Sequence, residues 1–199
     1  MNNTLLKILS NRRSVYGLDK KIKLNNFEIE QLLMEALKIA PSAFDCQSSR
    51  IVLLLSEQHH LFWQQTFDIL KTIVPSAQQN ATHEKIKSFE DAYGTILFFE
   101  DMKISDSLKK KYPLYQDRFA NWSEQSNGML QYIIWTLFAN QNIGASLKHY
   151  NPVIDDMVHK TWNIDLAWRL IAQMPFGNIV QAPMPRKIIA PEKRMRIFE

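Results

Sequence analysis

Pro41-Ser42-Ala43-Phe44-Asp45-Cys46-Gln47-Ser48-Ser49-Arg50-Ile51-Val52-Leu53-Leu54-Leu55 carries the chain from one kind of structure into another. Upstream, Phe27, Ile29, Leu32, Leu33, Ala36, Leu37 and Ala40 recur at helical spacing, which predicts a helix over 25–39. Asn25 or Asn26 can cap it, Glu28 and Glu30 suit its first turn, and Pro41 ends it. Downstream, Ile51–Leu55 is short, β-branched at its start and apolar on both faces, the pattern of a buried strand. A helix that gives way through a polar loop to a buried strand sets an α+β reading.

The same reading extends outward. A helix is predicted over 57–73, closed by Pro75. Residues 76–90 are polar and read as an exposed loop with a helical turn. Tyr93–Glu100 reads as a second buried strand. The longest helix is expected from Ser123 to Asn142, with apolar doublets at Met129-Leu130, Ile133-Ile134 and Leu137-Phe138. Apolar nearly all round, it belongs in a core or a large interface. Ile143–Leu147 breaks it, and Pro152 restarts a helix through Lys160. Trp168–Met174 looks like a third strand, ended by Pro175-Phe176-Gly177. Pro183, Pro185 and Pro191 make the tail an extended arm. One domain over residues 1–199 is the economical organisation.

With 46% hydrophobic and 22% charged residues, the chain has an ordinary globular composition. Five glycines, and no GxGxxG or GxxxxGK(S/T), leave it without the usual dinucleotide and triphosphate cradles. Cys46 is the single cysteine, so an internal disulfide is impossible and a reducing, cytoplasmic setting is expected. No apolar run is long enough to span a bilayer. Most of the net charge of +4 gathers in the tail, where Arg186, Lys187, Lys193, Arg194 and Arg196 face Glu192 and the last residue, Glu199. Such a tail suits nucleic acid, a membrane or one anionic cofactor. No nucleic-acid module accompanies it, so neither nucleic acid nor membrane is the expected partner. Asp155-Asp156-Met157-Val158-His159 puts a carboxylate and an imidazole on one helix face, but no metal site is expected from so common a spacing.

Arg12-Arg13-Ser14 follows a short amphipathic opening. It reads either as a solvated helix end or as a cradle for phosphate or polyol, since guanidinium is a planar fork matched to phosphate. Taken in order, the motifs resemble the nitroreductase family of flavoenzymes. Arg12-Arg13-Ser14 is similar to its early R-x-S. Pro41–Gln47 is similar to its P-S-x-x-N-x-Q loop. Asn142-Ile143-Gly144-Ala145 falls at its G-L-G-type turn, and Met174-Pro175-Phe176-Gly177 at its P-x-G strand end. Leu147-Lys148-His149-Tyr150-Asn151-Pro152 and Pro191–Phe198 look like the branch named for the yeast fatty-acid-repression mutant, as does Gln47-Ser48-Ser49-Arg50 in place of Q-P-W.

The resemblance implies a nitroreductase-like α+β fold, with a central, mostly antiparallel sheet flanked by helices. It implies a homodimer with FMN at the interface and the extended C-terminal arm reaching over the partner. By the same resemblance, Arg12, Ser14 and the neighbouring Arg13 bind FMN's phosphate, ribityl or pyrimidine edge, and Lys187, with Arg186 or Arg194, meets the phosphate from the tail. Ser42, Ala43 and Phe44 lie against the flavin, where Phe44 either borders the ring or simply packs. Gln47 hydrogen-bonds FMN. Asp45 replaces the usual Asn and loses an amide donor. Ile143, Gly144 and Ala145 offer backbone groups, and Gly144 also reads as a helix C-cap. His149 and Tyr150 either shape the substrate pocket or belong to the core.

The implied activity is transfer of a hydride from NADH or NADPH through FMN to a small electron-poor acceptor such as a nitroaromatic or quinone, with no separate catalytic residue. The alternative is a flavin-binding, redox-linked regulator with little turnover.

Overall fold

In the computed structural model, Gly94–Asp101 (β3) is buried along its whole length and forms the centre of a five-stranded sheet. The structure describes residues 3–199; residues 1 and 2 of the expected domain lie outside them. Ser49–Leu55 (β2) pairs with one edge of β3 and Trp168–Ile179 (β5) with the other, both antiparallel. Leu18–Asp19 (β1) and Ile143–Ala145 (β4) both pair antiparallel with β5. The α+β fold with an antiparallel sheet is therefore as expected.

Alternation along β3 builds two cores. Ile96 and Phe98 pack with Ile29, Leu33 and Ala36 of Asn26–Ile39 (α2) and with Leu130, Ile134 and Phe138 of Phe119–Asn140 (α6). Leu97 and Phe99 face the other way. They meet Phe62 and Trp63 of Ser56–Ile73 (α3), Ile86 and Phe89 of Ser76–Glu90 (α4), and Val158 of Asp155–Thr161 (α7). Asn25 caps α2 through a reciprocal pair of bonds with Glu28.

Four boundaries differ from the sequence reading. Residues 76–90 form the regular helix α4; only Ile86 and Phe89 are buried on it, too sparse a stripe to show as a period. The strand expected to stop at Met174 continues through Pro175 to Ile179. The Pro175 carbonyl accepts from Ser146 N, so the ring nitrogen faces that same edge, just past the end of β4, and the β3 ladder loses nothing. Helix α6 starts one turn early, at Phe119, and stops at Asn140; Asn142 takes the left-handed exit at φ 57°. The restart expected at Pro152 begins at Asp155. Between β3 and α6 lie Met102–Lys111 (α5), capped by the Asp101 side chain, and a 3-10 stretch Pro113–Arg118. Asn3–Asn11 (α1) buries no residue. Beyond β5 the tail is an exposed arm with one short turn at Pro191–Lys193.

Candidate functional site

Arg12 leaves α1 and lays its guanidinium on the Trp135 ring of α6, 4.3 Å from the centroid, with Tyr132 at 5.7 Å. Its Nε is buried and has no hydrogen-bond partner. Two residues on, Ser14 forms a parallel bridge with Ala145, and Val15 N donates to the Ala145 carbonyl at 3.0 Å. Trp135 Nε1 donates to the same carbonyl at 3.2 Å. The structure thus brings Arg12 and Ser14 together with Ile143–Ala145, which are far apart in sequence. It also fills both lone pairs of the Ala145 carbonyl, leaving that oxygen unavailable to a ligand. Arg13 turns the other way and donates to the Met184 carbonyl at the root of the arm.

Gly144 is not a helix cap. Helix α6 is capped by Gln141 and leaves through the left-handed Asn142, while Gly144 pairs with Gly177 inside the sheet. A Cβ there would stand 2.7 Å from Leu18 Cδ2 and 2.9 Å from Ile179 Cγ1, so the site requires glycine for space.

The Ser42–Gln47 loop forms a second group. Ser42, Gln47, Ser49 and Arg50 line a cavity of about 300 Å³ whose apolar walls include Leu37, Ile51 and Leu130. Phe44, Asp45 and Gln47 all sit at positive φ, 57°, 48° and 50°. For residues other than glycine, each costs on the order of 1–3 kcal/mol and persists only when its surroundings hold it. Aspartate bears this backbone better than most, which suits the position where the family commonly has asparagine. Ser42 Oγ accepts from Gln47 N at 2.9 Å, and Ala43 N donates to Ser126 Oγ at 3.3 Å.

Phe44 stacks on Tyr112 at 4.7 Å and touches Tyr115, Phe119 and Trp122, yet stays 50% exposed. It is an anchored ring with a free edge. These partners escaped the sequence reading, although Tyr112, Tyr115, Phe119 and Trp122 recur at helical steps of three and four. Their polar neighbours hid the pattern.

The two groups flank different faces of α6. Ser126 lies by the loop and Trp135 by Arg12; nine residues at about 100° and 1.5 Å each put them half a turn and about 14 Å apart. Lys187 and Arg194 lie on the exposed arm. Tyr150 packs into the α3–α4 core beside Trp63, and burial pushes its hydroxyl up to about 12. His149 is exposed. Among the described residues no group of three or more His, Cys, Asp or Glu side chains could hold a metal.

The family model described as the nitroreductase family matches residues 9–178. The chain belongs to the nitroreductase family. Nitroreductase FRM2 of Saccharomyces cerevisiae is 25% identical over 186 residues, covering 92% of each chain, and bears out the branch resemblance. Nitroreductase CinD from Lactococcus lactis, in complex with chloramphenicol, superposes with a TM-score of 0.90 at 32% identity, covering 98% of this chain and 100% of that one. A nitroreductase with bound FMN from Desulfitobacterium hafniense DCB-2 shares the fold, with a TM-score of 0.72 at 16% identity over the whole of both chains. As a nitroreductase, the chain is an oxidoreductase by family. Its residues suit a flavin nucleotide: Arg12 has a buried donor awaiting an acceptor, and the loop cavity is apolar-walled with hydroxyl, amide and guanidinium groups at its rim. No helix among the described residues is long and apolar enough to cross a membrane.

Proposed function

We propose that this nitroreductase binds FMN and uses NADH or NADPH to reduce nitroaromatics, quinones or similar electron-poor small molecules. It works as a cytoplasmic homodimer of single-domain subunits. The carrying observation is Arg12, whose guanidinium is fixed on Trp135 beside the Ser14–Ala145 bridge with a buried Nε still without an acceptor. When bound, FMN supplies the capacity to take two electrons from a nicotinamide and hand them on. The chain binds, orients and excludes water.

Arg12, Arg13 and Ser14 hold the anionic and polyol parts, where the guanidinium fork gives paired charge-assisted bonds. Ser42 and Gln47 donate to the polar edge of the ring system, and Asp45 can only accept there. Phe44, braced by Tyr112, turns its free edge to the ring and keeps solvent away. Ala43 supplies the close approach that a larger side chain would block. Ile143 and Gly144 present the remaining backbone groups, and Lys187 and Arg194 meet the phosphate once the arm closes on a second copy.

Two observations support the homodimer. A chain of 23.3 kDa is expected to expose about 9,700 Å² as a monomer. This one exposes 12,565 Å², an excess of roughly 2,900 Å² over that expectation. The two ligand-suited groups also lie on different faces of α6, so one ligand engages both readily only if a second copy brings its loop. CinD complexes with chloramphenicol and with 4-nitrophenol, both nitroaryl compounds, support the acceptor class.

The purified protein should be yellow and release one FMN per subunit, and anaerobic stopped-flow mixing with NADH or NADPH should bleach it. A colourless protein that takes up no added FMN defeats the reading. A yellow protein that neither nucleotide bleaches is a regulator instead.

A further inference from the structure

Glu100 is a fully buried carboxylate that the proposed reaction leaves unused. It lies near the end of β3, on the α6 side of the sheet. Ser48 Oγ donates to its Oε1, and Ser49 Oγ donates to its Oε2 at 3.3 Å. Asn127 Nδ2 reaches Oε2 at 3.4 Å and the Phe99 carbonyl at 2.9 Å, while Gln131 Nε2 holds Asn127 Oδ1 at 2.8 Å. Among the described residues no basic side chain forms an ion pair with it. Arg169, opposite on β5, forks onto Glu124, and Arg50 pairs with Asp101.

A buried carboxylate held by dipoles, with only the charge of Arg169, itself paired with Glu124, to help, is a poor device for stability, since apolar packing of the same volume usually does as well or better. Its donors show another use. Two of the three come from Ser48 and Ser49, the residues through which the Ser42–Gln47 loop enters β2. The next residue of β3 continues the clamp. Asp101 N donates to the Ser48 carbonyl at 2.9 Å, and the Asp101 carboxylate fixes Arg50, whose Nη1 donates to the Gln47 carbonyl at 2.7 Å. Cys46 Sγ lies 3.3 Å from Ser48 Oγ and joins the same chain. The left-handed turns at Phe44, Asp45 and Gln47 are thus held from beneath by the end of β3.

We propose that Glu100 is a positioning residue for the cofactor loop: acting through Ser48 and Ser49, its carboxylate fixes the Gln47 backbone and so the groups of Ser42 and Gln47 that line the cavity. The loop geometry stands by itself; the consequence, that FMN affinity is set by a side chain that never touches FMN, rests on the flavin reading above.

The test is hydrogen exchange followed by mass spectrometry on the full chain, with and without FMN, for wild type, Glu100→Gln, Ser48→Ala and the double variant. Glutamine keeps the volume but turns one of the two acceptor oxygens into a donor, so the serine and asparagine donors cannot all be met. In the apo-protein, exchange of the amides over 43–48 should rise about tenfold in Glu100→Gln, while β3 and β5 stay protected. The FMN Kd should rise about tenfold as well. The double variant should fall within about twofold of Glu100→Gln, because both changes break one bond. A uniform rise across the sheet, an unchanged loop, or additive single effects overturns the proposal. If Glu100→Gln does not fold, Ser48→Ala decides: a loop-confined rise supports the proposal and an unchanged loop overturns it. If the wild type takes up no FMN, the flavin reading fails, and loop exchange still decides for Glu100.

Discussion

Arg12 illustrates what one residue contributes. Its stem and fork are held by Trp135, so little side-chain freedom is lost when an anion arrives. Arg12→Ala should therefore raise the FMN Kd about 10- to 100-fold, the size of a lost charge-assisted bond. Protein saturated with FMN should bleach with NAD(P)H within about twofold of the wild-type rate, since the bond is equally present before and during reaction. Fluorescence titration and stopped flow read the two quantities separately.

Lys148 gives a pH-dependent prediction. Its ammonium lies 4.1 Å from the Phe89 centroid and 4.4 Å from Tyr16, and burial, with Lys85 adding, lowers it to about 8. A lysine depressed in the folded state weakens folding while both states are charged, and that penalty lifts as pH rises from about 8 toward the ordinary value. Lys148→Met should accordingly compare more favourably with wild type at pH 7 than at pH 9.5. Paired melting curves at the two pH values check this, and an unchanged difference contradicts it. Arg12 and Ser14 stood out as candidates through motif order, and the structure brings them to Ala145. Trp135 and the saturated Ala145 carbonyl did not stand out, because pairing between distant segments leaves no local pattern.

Elements were legible where burial imposed a period. Ile51–Leu55 and Tyr93–Glu100 read as strands because both faces of the sheet are covered, and α2 because its cap, stripe and closing proline agree. Helix α4 was missed because it rests on α3 through few side chains, and β4 because three residues are too short for any period. Gly144 tests that last element. Gly144→Ala places a methyl within 3.1 Å of Leu18, Ile179 and Val15, so the β1–β4–β5 corner must open. Overpacking of this kind typically costs about 1–3 kcal/mol. The expected result is a Tm several degrees lower, on the order of 2–4 °C per kcal/mol for a chain of this size. Denaturation should remain cooperative, and weakened FMN retention should follow from displacement of the adjoining Ser14–Ala145 bridge.

At the scale of the molecule, the surface argues for a second copy. Leu5 and Leu6 of α1, Phe27 and Ile39 of α2 and Tyr132 of α6 are all exposed, and α1 buries nothing at all. Exposed large apolar side chains on three helices suit an interface. The arm adds Met184, Ile188, Ile189, Met195, Ile197 and Phe198, the last 93% exposed. An apolar segment with three prolines gains little from its own chain and much from lying across another subunit. Among the described residues, deleting 183–199 removes one side-chain bond to the body, from Arg13 to the Met184 carbonyl, so the sheet and both cores should remain. Circular dichroism of the truncated protein should match the full chain, and light scattering should show the full chain as a dimer. The truncated protein should dissociate at concentrations where the full chain does not, and it should lose FMN together with Lys187 and Arg194. A truncated protein that keeps both its dimer and its flavin would confine the arm to a solvated tail and return the binding of the phosphate to Arg12 and Arg13 alone.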